Sequence, residues 1–517
     1  MRGTTKSRRM KYGSVSAALT ILTVAAVVIA NVIFTALCGR YGWYVDMSSD
    51  LMYKVTEDCK EYLDEYVISE VKKANDSGGG NEKVTILFCD DRENIESEIT
   101  QNYILGSALE IQEMFPDYVE IDFLNIWENP SIARSYGITA STNVAFLYSD
   151  RHVVLSLADF YIFEAADTET PVAYNGEKRL ATGMMRVVQE NTPMCYLTVN
   201  HGETVEDYEL MYMIADAGYN YTYLDLLNYD IPEDCELLIT FNPTQDFTSN
   251  DNVSSVSETD KIREYMNNGG KYMVFVSADT FVSGGHENLE ELLAEWGVRY
   301  MHSTGEDGIE NCYTIKDSMH STTTDGYTIL AQNTPSGFGA EILKDITKPN
   351  VFGNSTCISP SDGFTLDPEG NYVSDAYGST RTLTPLFVSD TSAEAWASGR
   401  VVAKATDDPF VLMSLTKQEN AQGNTSYLLA SASTEFGSES AMQSAVFGNS
   451  QTLSTILKYM GKENVPTNLT FKPFGDTDID SITTAQSTTI TIVLAAVPAA
   501  VILGTGIVIL VKRKNAV

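Results

Sequence analysis

Two long uncharged runs, one near each end, constrain this chain more than any other feature. Ser14 to Leu37 (SVSAALTILTVAAVVIANVIFTAL) is 24 residues without Asp, Glu, Lys or Arg. As a helix it would reach roughly 36 Å at about 1.5 Å per residue, beyond the roughly 30 Å hydrocarbon core of a bilayer. Ser481 to Val511 is a second such run and contains ITIVLAAVPAAVILGTGIVILV, whose Pro498 a membrane helix tolerates. The first run exceeds the apolar region of a cleaved signal peptide and lacks a small-x-small exit. Arg2, Lys6, Arg8, Arg9 and Lys11 precede it; Lys512, Arg513 and Lys514 follow the second run, and neither tail holds an acid. Positive flanks predict the cytoplasmic face, so the expectation is a two-pass plasma-membrane protein with both termini cytoplasmic and a large part outside.

That outer part is strongly acidic. The chain carries 70 acids against 34 bases, a net charge of −36, and every acid lies between the tails. Such a surface repels nucleic acid and lipid phosphate alike, which excludes nucleic-acid partners. Hydrophobic content of 43% suffices for packed cores. The seven cysteines form no CxxC and no regular framework, leaving two or three disulfides at most, or free buried thiols.

Between the runs, strands and helices alternate. VTILFCDD, a helix from Ile95 to Phe115, VEIDFLNI, a helical turn through NPSIARSYGI, VAFLYSD, HVVLSLADF and a helix from Glu177 to Gln189 give the order β-α-β-α-β-β-α. This is the order of a thioredoxin-like domain. Its redox groups are missing: Cys89-Asp90-Asp91-Arg92 stands where a CxxC would, and Ser141-Thr142-Asn143 where a cis-proline would. MCYLTVNHG, NYTYLDLL, CELLITFNP and KYMVFVSAD then alternate with helices, which predicts a parallel sheet wrapped on both faces. Residues 305–400 are rich in Ser, Thr, Gly and Asp and predict short strands and loops. The expected fold class is α/β, with two transmembrane helices flanking a thioredoxin-like domain and a flavodoxin-type, amidotransferase-like parallel-sheet domain. The expected boundaries are a basic tail at 1–13, a span at 14–38, the two outer domains at 43–190 and 191–463, a linker at 464–487, a span at 488–511 and a basic tail at 512–517.

In a parallel sheet, ligands bind at the carboxyl ends of strands. His201 and Glu203 stand at such an end, as do Asn242 and Asp279, and these four residues are the candidate ligand-binding set. Catalysis needs more. Cys195 lies six residues up the same strand, about 20 Å away at roughly 3.3 Å per residue. Ser277 lacks the flanking glycines of a nucleophile elbow. Histidines 152, 201, 286, 302 and 320 make no HExxH, and Asp476, Asp478 and Asp480 lack the rest of a calcium loop. No phosphate-binding G-x-x-x-x-G-K-[ST] occurs. The expectation is no catalytic residue, no cofactor and no metal.

VDMSSDLMYKVTEDCKEYL, DFLNIWENPSIARSYGI, YNGEKRLATGMMRVVQENTPMCYLTVNHGE and ITTAQSTTITIVLAAVPAAVILGTGIVILVKRK stand in an order that resembles the auxiliary subunits of gliding-motility-type ABC transporters. The resemblance implies a bacterial, non-ATPase component beside a permease and an ATPase. It also implies an amidotransferase-like outer domain without established catalytic residues. Its alternatives are a surface hydrolase or amidase using the His201 cleft, and a free-standing envelope scaffold.

Overall fold

The computed structural model describes residues 54–474, except 79, 165–166, 204–207, 250–255, 280–284, 305–309, 335–336, 407, 421–422 and 445. Four short apolar stretches form the first sheet: β1 (Val84–Phe88), β2 (Val119–Phe123), β3 (Val144–Tyr148) and β4 (Arg151–Leu155). Their order is β2-β1-β3-β4, with β1 and β2 parallel and the other pairs antiparallel. A parallel pair needs a long crossover, which helix α1 (Ile99–Met114) supplies between β1 and β2. β3 and β4 need only a tight turn, and Ser149 turns it at φ 55°.

Helix α2 (Gly176–Val188) lies against this sheet, and every residue of it except Arg186 is buried. A Cβ added at Gly183 would come within 2.5 Å of the Phe146 ring on β3, so glycine is what permits the close approach.

A 13-stranded sheet follows. Its main path uses β5 (Met194–Thr198), β6 (Asn220–Leu224), β7 (Cys235–Phe241), β8 (Lys271–Phe275), β9 (Thr328–Asn333), β10 (Asn350–Gly353), β11 (Arg381–Val388), β12 (Val411–Glu419) and β13 (Thr425–Ser431). The order is β10-β9-β11-β12-β13-β8-β7-β5-β6. From β13 to β6 all pairs are parallel, and from β10 to β13 all are antiparallel. The expected parallel sheet is thus corrected to a mixed one. The short link 420–424 between β12 and β13 leaves no room for a crossover helix, so these strands must pair antiparallel. Residues 305–400, which the sequence left as short strands and loops, supply β9, β10 and β11.

Alternation along the central strands splits the core in two. Ile239, Met273, Phe275 and Leu429 face one cluster, packed with Ile214 of α3 (Tyr208–Asp216) and Leu453 and Ile456 of α6 (Asn449–Tyr459). Leu238, Tyr272, Val274 and Leu428 face the other, with Ile262 of α4 (Glu258–Asn267) and Leu289 and Leu292 of α5 (Glu287–Glu295). Each fully buried Leu or Ile contributes about 1.5–3 kcal/mol, so covering both faces is what stabilises so apolar a sheet. The described residues up to Pro473 form one compact unit.

The expected fold class and localisation require a second correction. Among the described residues no helix is long and apolar enough to cross a membrane. Helix α1 has 16 residues, or about 24 Å, short of a bilayer core. The helical run 57–78 is longer but carries Glu57, Asp58, Lys60, Glu61, Asp64 and Glu65 in its first half. What stands is a mixed α/β architecture, without support for the two spans, the contact with membrane lipid or the two-pass placement. Residues 14–38 and 488–511, on which that expectation rested, lie outside the described residues, as do both basic tails and the Asp476–Asp480 stretch.

Candidate functional site

The parallel half of the large sheet ends its strands along one edge, and His201, Asn242 and Asp279 follow β5, β7 and β8 there. The loop after β5 turns through Asn200 at φ 82° and Gly202 at φ 73°. It is clamped to the loop after β7: the His201 carbonyl accepts from Thr244 N (2.8 Å) and Gln245 N (2.9 Å). A side chain at Gly202 would overlap Thr244 Oγ1, so both the positive φ and the close approach require glycine.

His201 is 6% exposed and both its ring nitrogens are engaged. Nδ1 lies 3.0 Å from Glu203 Oε1 and Nε2 lies 3.1 Å from Glu258 Oε2. Glu203 Oε2 also accepts from the His201 backbone N–H at 2.6 Å, and the imidazole stacks on Phe247 with centroids 3.8 Å apart. Glu258 is the first residue of α4, where the helix dipole favours a carboxylate, and the preceding Ser257 caps the helix by accepting from Asp260 N. Its Oε2 further accepts from Thr248 N (2.9 Å) and Thr248 Oγ1 (3.0 Å).

Burial on its own would lower the His201 pKa. Hydrogen bonds and charge from Glu203 and Glu258 outweigh it and raise the pKa to about 9. Burial likewise pushes both carboxyls up, but the imidazolium holds each below its ordinary value. At neutral pH the group is therefore a cation donating to two carboxylates. An imidazolium with both N–H groups committed has no lone pair to take a proton, so this histidine is not set up as a general base.

The other candidates make contacts of their own. Asn242, at φ 53°, bonds through its N–H to the Phe275 carbonyl at 2.8 Å. Asp279 is exposed and accepts from Asn354 Nδ2 at 2.7 Å, and it is not one of His201's ring partners. Burial raises the pKa of Glu435, with Asp279 adding to the effect. The sequence reading missed Glu258, which lies 57 residues from His201. Only the Ser257-Glu258-Thr259-Asp260 helix start marked its neighbourhood, and that pattern does not name a partner.

No thiol is poised for chemistry among the described residues. The six described cysteines are free, and burial pushes the Cys195 thiol well above its ordinary range. Asp317, His320 and Asp390 do converge, with ligand-type atoms within 4.8 Å of one another. Ser392 Oγ already joins them, at 2.8 Å from Asp317 Oδ2, 3.1 Å from His320 Nδ1 and 3.2 Å from Asp390 Oδ1. These donors suit a hard divalent cation, yet as they stand they form a closed hydrogen-bonded knot.

Residues 187–320 match the model of a family of ABC-transporter auxiliary proteins, described as an ABC-type uncharacterized transport system. The match supports an auxiliary role in ABC-type transport and association with such a system. No curated relative matches the chain. Among solved structures it is similar to the mmIFT52 N-terminal domain, at 12% identity and TM-score 0.34, covering 52% of this chain and 96% of that one. It is also similar to PurLQS from Thermotoga maritima, at 14% identity and TM-score 0.27, covering 52% and 100%. A third is the cytoplasmic protein STM3548 from Salmonella typhimurium, at 10% identity and TM-score 0.29, covering 52% and 98%.

Proposed function

We propose that the chain is a non-ATPase auxiliary subunit of an ABC transport system, acting by binding and assembly rather than by turnover. The observation that carries this reading is the family match over residues 187–320. That segment contains β5 to β8 and the whole His201–Glu203–Glu258 group. The state of that group favours binding over chemistry: its one histidine is held as an imidazolium between two carboxylates, where a hydrolase or amidase would need a free ring nitrogen beside a nucleophile. With no P-loop in the sequence, ATP would be hydrolysed by a separate subunit, and the permease and that ATPase are the expected partners.

Capture of the tagged full-length chain from its native cells, in an extract that keeps a multi-span permease intact, tests this reading. Recovery of a permease and a P-loop ATPase in fixed ratio supports it. Recovery of the chain alone under several extraction conditions refutes it and returns attention to hydrolytic assays of the His201 cleft.

A further inference from the structure

Helix α2 buries every residue but one, and the exception is Arg186. Its guanidinium is half-buried at a cleft of ≈ 220 Å³ that Arg179, Thr182, Tyr212 and Tyr221 also line. Two carboxylates border the same cleft, and both are already committed. Asp216 forms ion pairs with Lys178 (3.2 Å) and with Arg179. Asp159 accepts from Ser156 N (2.6 Å) and Ser156 Oγ (2.8 Å). The Arg186 side chain donates no hydrogen bond and joins no ion pair among the described residues. Among the described residues the lining thus sets two cations, Arg179 and Arg186, against two carboxylates, and Asp216 is taken up by Arg179 and Lys178 rather than by Arg186.

Leaving a guanidinium partly desolvated without an acceptor is costly, and such a group is matched in geometry by a planar or tetrahedral oxyanion that takes two N–H bonds at once. Burial lowers the pKa of Arg186, with Arg179 adding to the effect and Asp216, Asp159 and Tyr221 opposing it, in keeping with a guanidinium held partly out of water. The rim supplies what an oxyanion's remaining oxygens and carbon skeleton would use. Tyr212 and Tyr221 are 41% and 45% exposed, whereas Thr182, one turn away on the same helix, is buried with its hydroxyl donating to the Arg179 carbonyl at 3.5 Å. At ≈ 220 Å³ the cleft is smaller than a pocket for a drug-sized ligand, which suits a small anion and not a folded partner.

We infer that the Arg186 cleft is a binding site for a small oxyanion, a carboxylate or phosphate group gripped by the Arg186 guanidinium and flanked by Tyr212 and Tyr221. This assignment stands independently of the transporter reading, because it rests only on the cleft and the Arg186 guanidinium in it.

The test is calorimetric titration of the full-length protein with inorganic phosphate and, separately, with succinate, chloride holding the ionic strength constant. Saturable one-site binding of either probe is expected, and which one binds identifies the phosphate or the carboxylate source. In Arg186→Gln the affinity should fall roughly tenfold or more, while Arg134→Gln, at an exposed arginine outside the cleft, should bind as the parent does. A second measurement needs no variant: phenylglyoxal should modify Arg186, read by peptide mass spectrometry, and the bound probe should protect it. Absence of saturable binding by both anions, parental affinity in a folded Arg186→Gln protein, or modification of Arg186 undiminished by the bound probe would each overturn the assignment.

Discussion

Replacing His201 by Gln removes the cation that holds Glu203 and Glu258 together and leaves two carboxylates in a buried site. The imidazole pKa rises from 6.5 to about 9, a difference worth about 3 kcal/mol at 1.36 kcal/mol per unit. A raised folded-state pKa stabilises fully below the unfolded value and ceases to do so as pH climbs through the folded one. The contribution is thus complete below about pH 6.5 and gone above about pH 9. The depressed carboxyls of Glu203 and Glu258 express the same interaction from the acid side, losing it as pH falls below their unfolded range, so pH 6 lies on the plateau. Unfolding entropy of ~2.1 cal/mol/K per residue over ~420 residues gives about 0.9 kcal/mol per kelvin. His201→Gln should therefore unfold about 3–4 °C below the parent at pH 6, with the gap closing by pH 9.5 as the parent loses its imidazolium. Scanning calorimetry of both proteins at the two pH values measures it. A gap of equal size at both, or a variant as stable as the parent at pH 6, would show that the histidine is neutral in the fold and that its reading as a fixed cation is mistaken.

Three further outcomes follow from packing. Gly202→Ala should destabilise by about 1–3 kcal/mol through positive φ and overlap with Thr244, and adding Thr244→Ala should relieve the overlap while leaving the backbone strain; denaturant midpoints of the three proteins decide it. Gly183→Val should cost about 2 kcal/mol or more, because the side chain must displace the Phe146 ring between α2 and β3, again read from denaturant midpoints. Cys59, Cys89, Cys195, Cys312 and Cys357 are buried, so an aromatic disulfide reagent should label them only in denaturant, whereas rapid native labelling would contradict the packing.

Local apolar runs were legible in the sequence wherever one element used one run. VTILF, VEIDF, VAFLY and MCYLT are strands at nearly the positions their composition assigned, and GEKRLATGMMRVV is a helix from Gly176 to Val188. HVVLSLADF misled, because it reads as one strand. β4 stops at Leu155, and Ser156 with Asp159 forms a capping box that starts a 3-10 turn. The antiparallel half of the large sheet was legible only in part, for a different reason. FVLMSLTK and SYLLASAST do read as ordered segments and are β12 and β13, whereas β9, β10 and β11 fall in residues 305–400, where buried polar residues such as Thr384 and Arg381 interrupt the apolar pattern. Arg381 is kept inside by Gln418 Oε1 at 2.5 Å and by the face of Trp296, 4.3 Å away, contacts that no spacing along the chain announces. Likewise, His201 and Glu203 were visible as a pair at a strand end, whereas Glu258 entered only through the three-dimensional approach of α4.

The same helix that presents Arg186 also fastens the two ends of the described body, and this carries its own consequence. Glu177, 4% exposed, accepts from Thr56 N at 2.9 Å and from the Thr56 hydroxyl, while Lys472 Nζ lies 2.8 Å from its Oε2. Lys472 Nζ also donates to the Lys54 carbonyl, a contact spanning 418 positions of sequence. A buried carboxylate that loses its cation is left uncompensated, so Lys472→Met should destabilise by about 3–5 kcal/mol. Glu177→Gln keeps an acceptor for Thr56 but strands the ammonium, and should cost a similar amount. The double variant removes both charges at once and should be far more stable than the sum of the singles predicts, with a coupling of about 2 kcal/mol or more. Because the clamp joins Lys54–Thr56 and Lys472 to α2, the single variants should also expose the residue 54–60 segment to protease before global unfolding. Additive losses, with no early cleavage in that segment, would mean that the ends are held by the short pairing of Lys472–Pro473 with Ala173–Tyr174 and that the Glu177 charge is incidental.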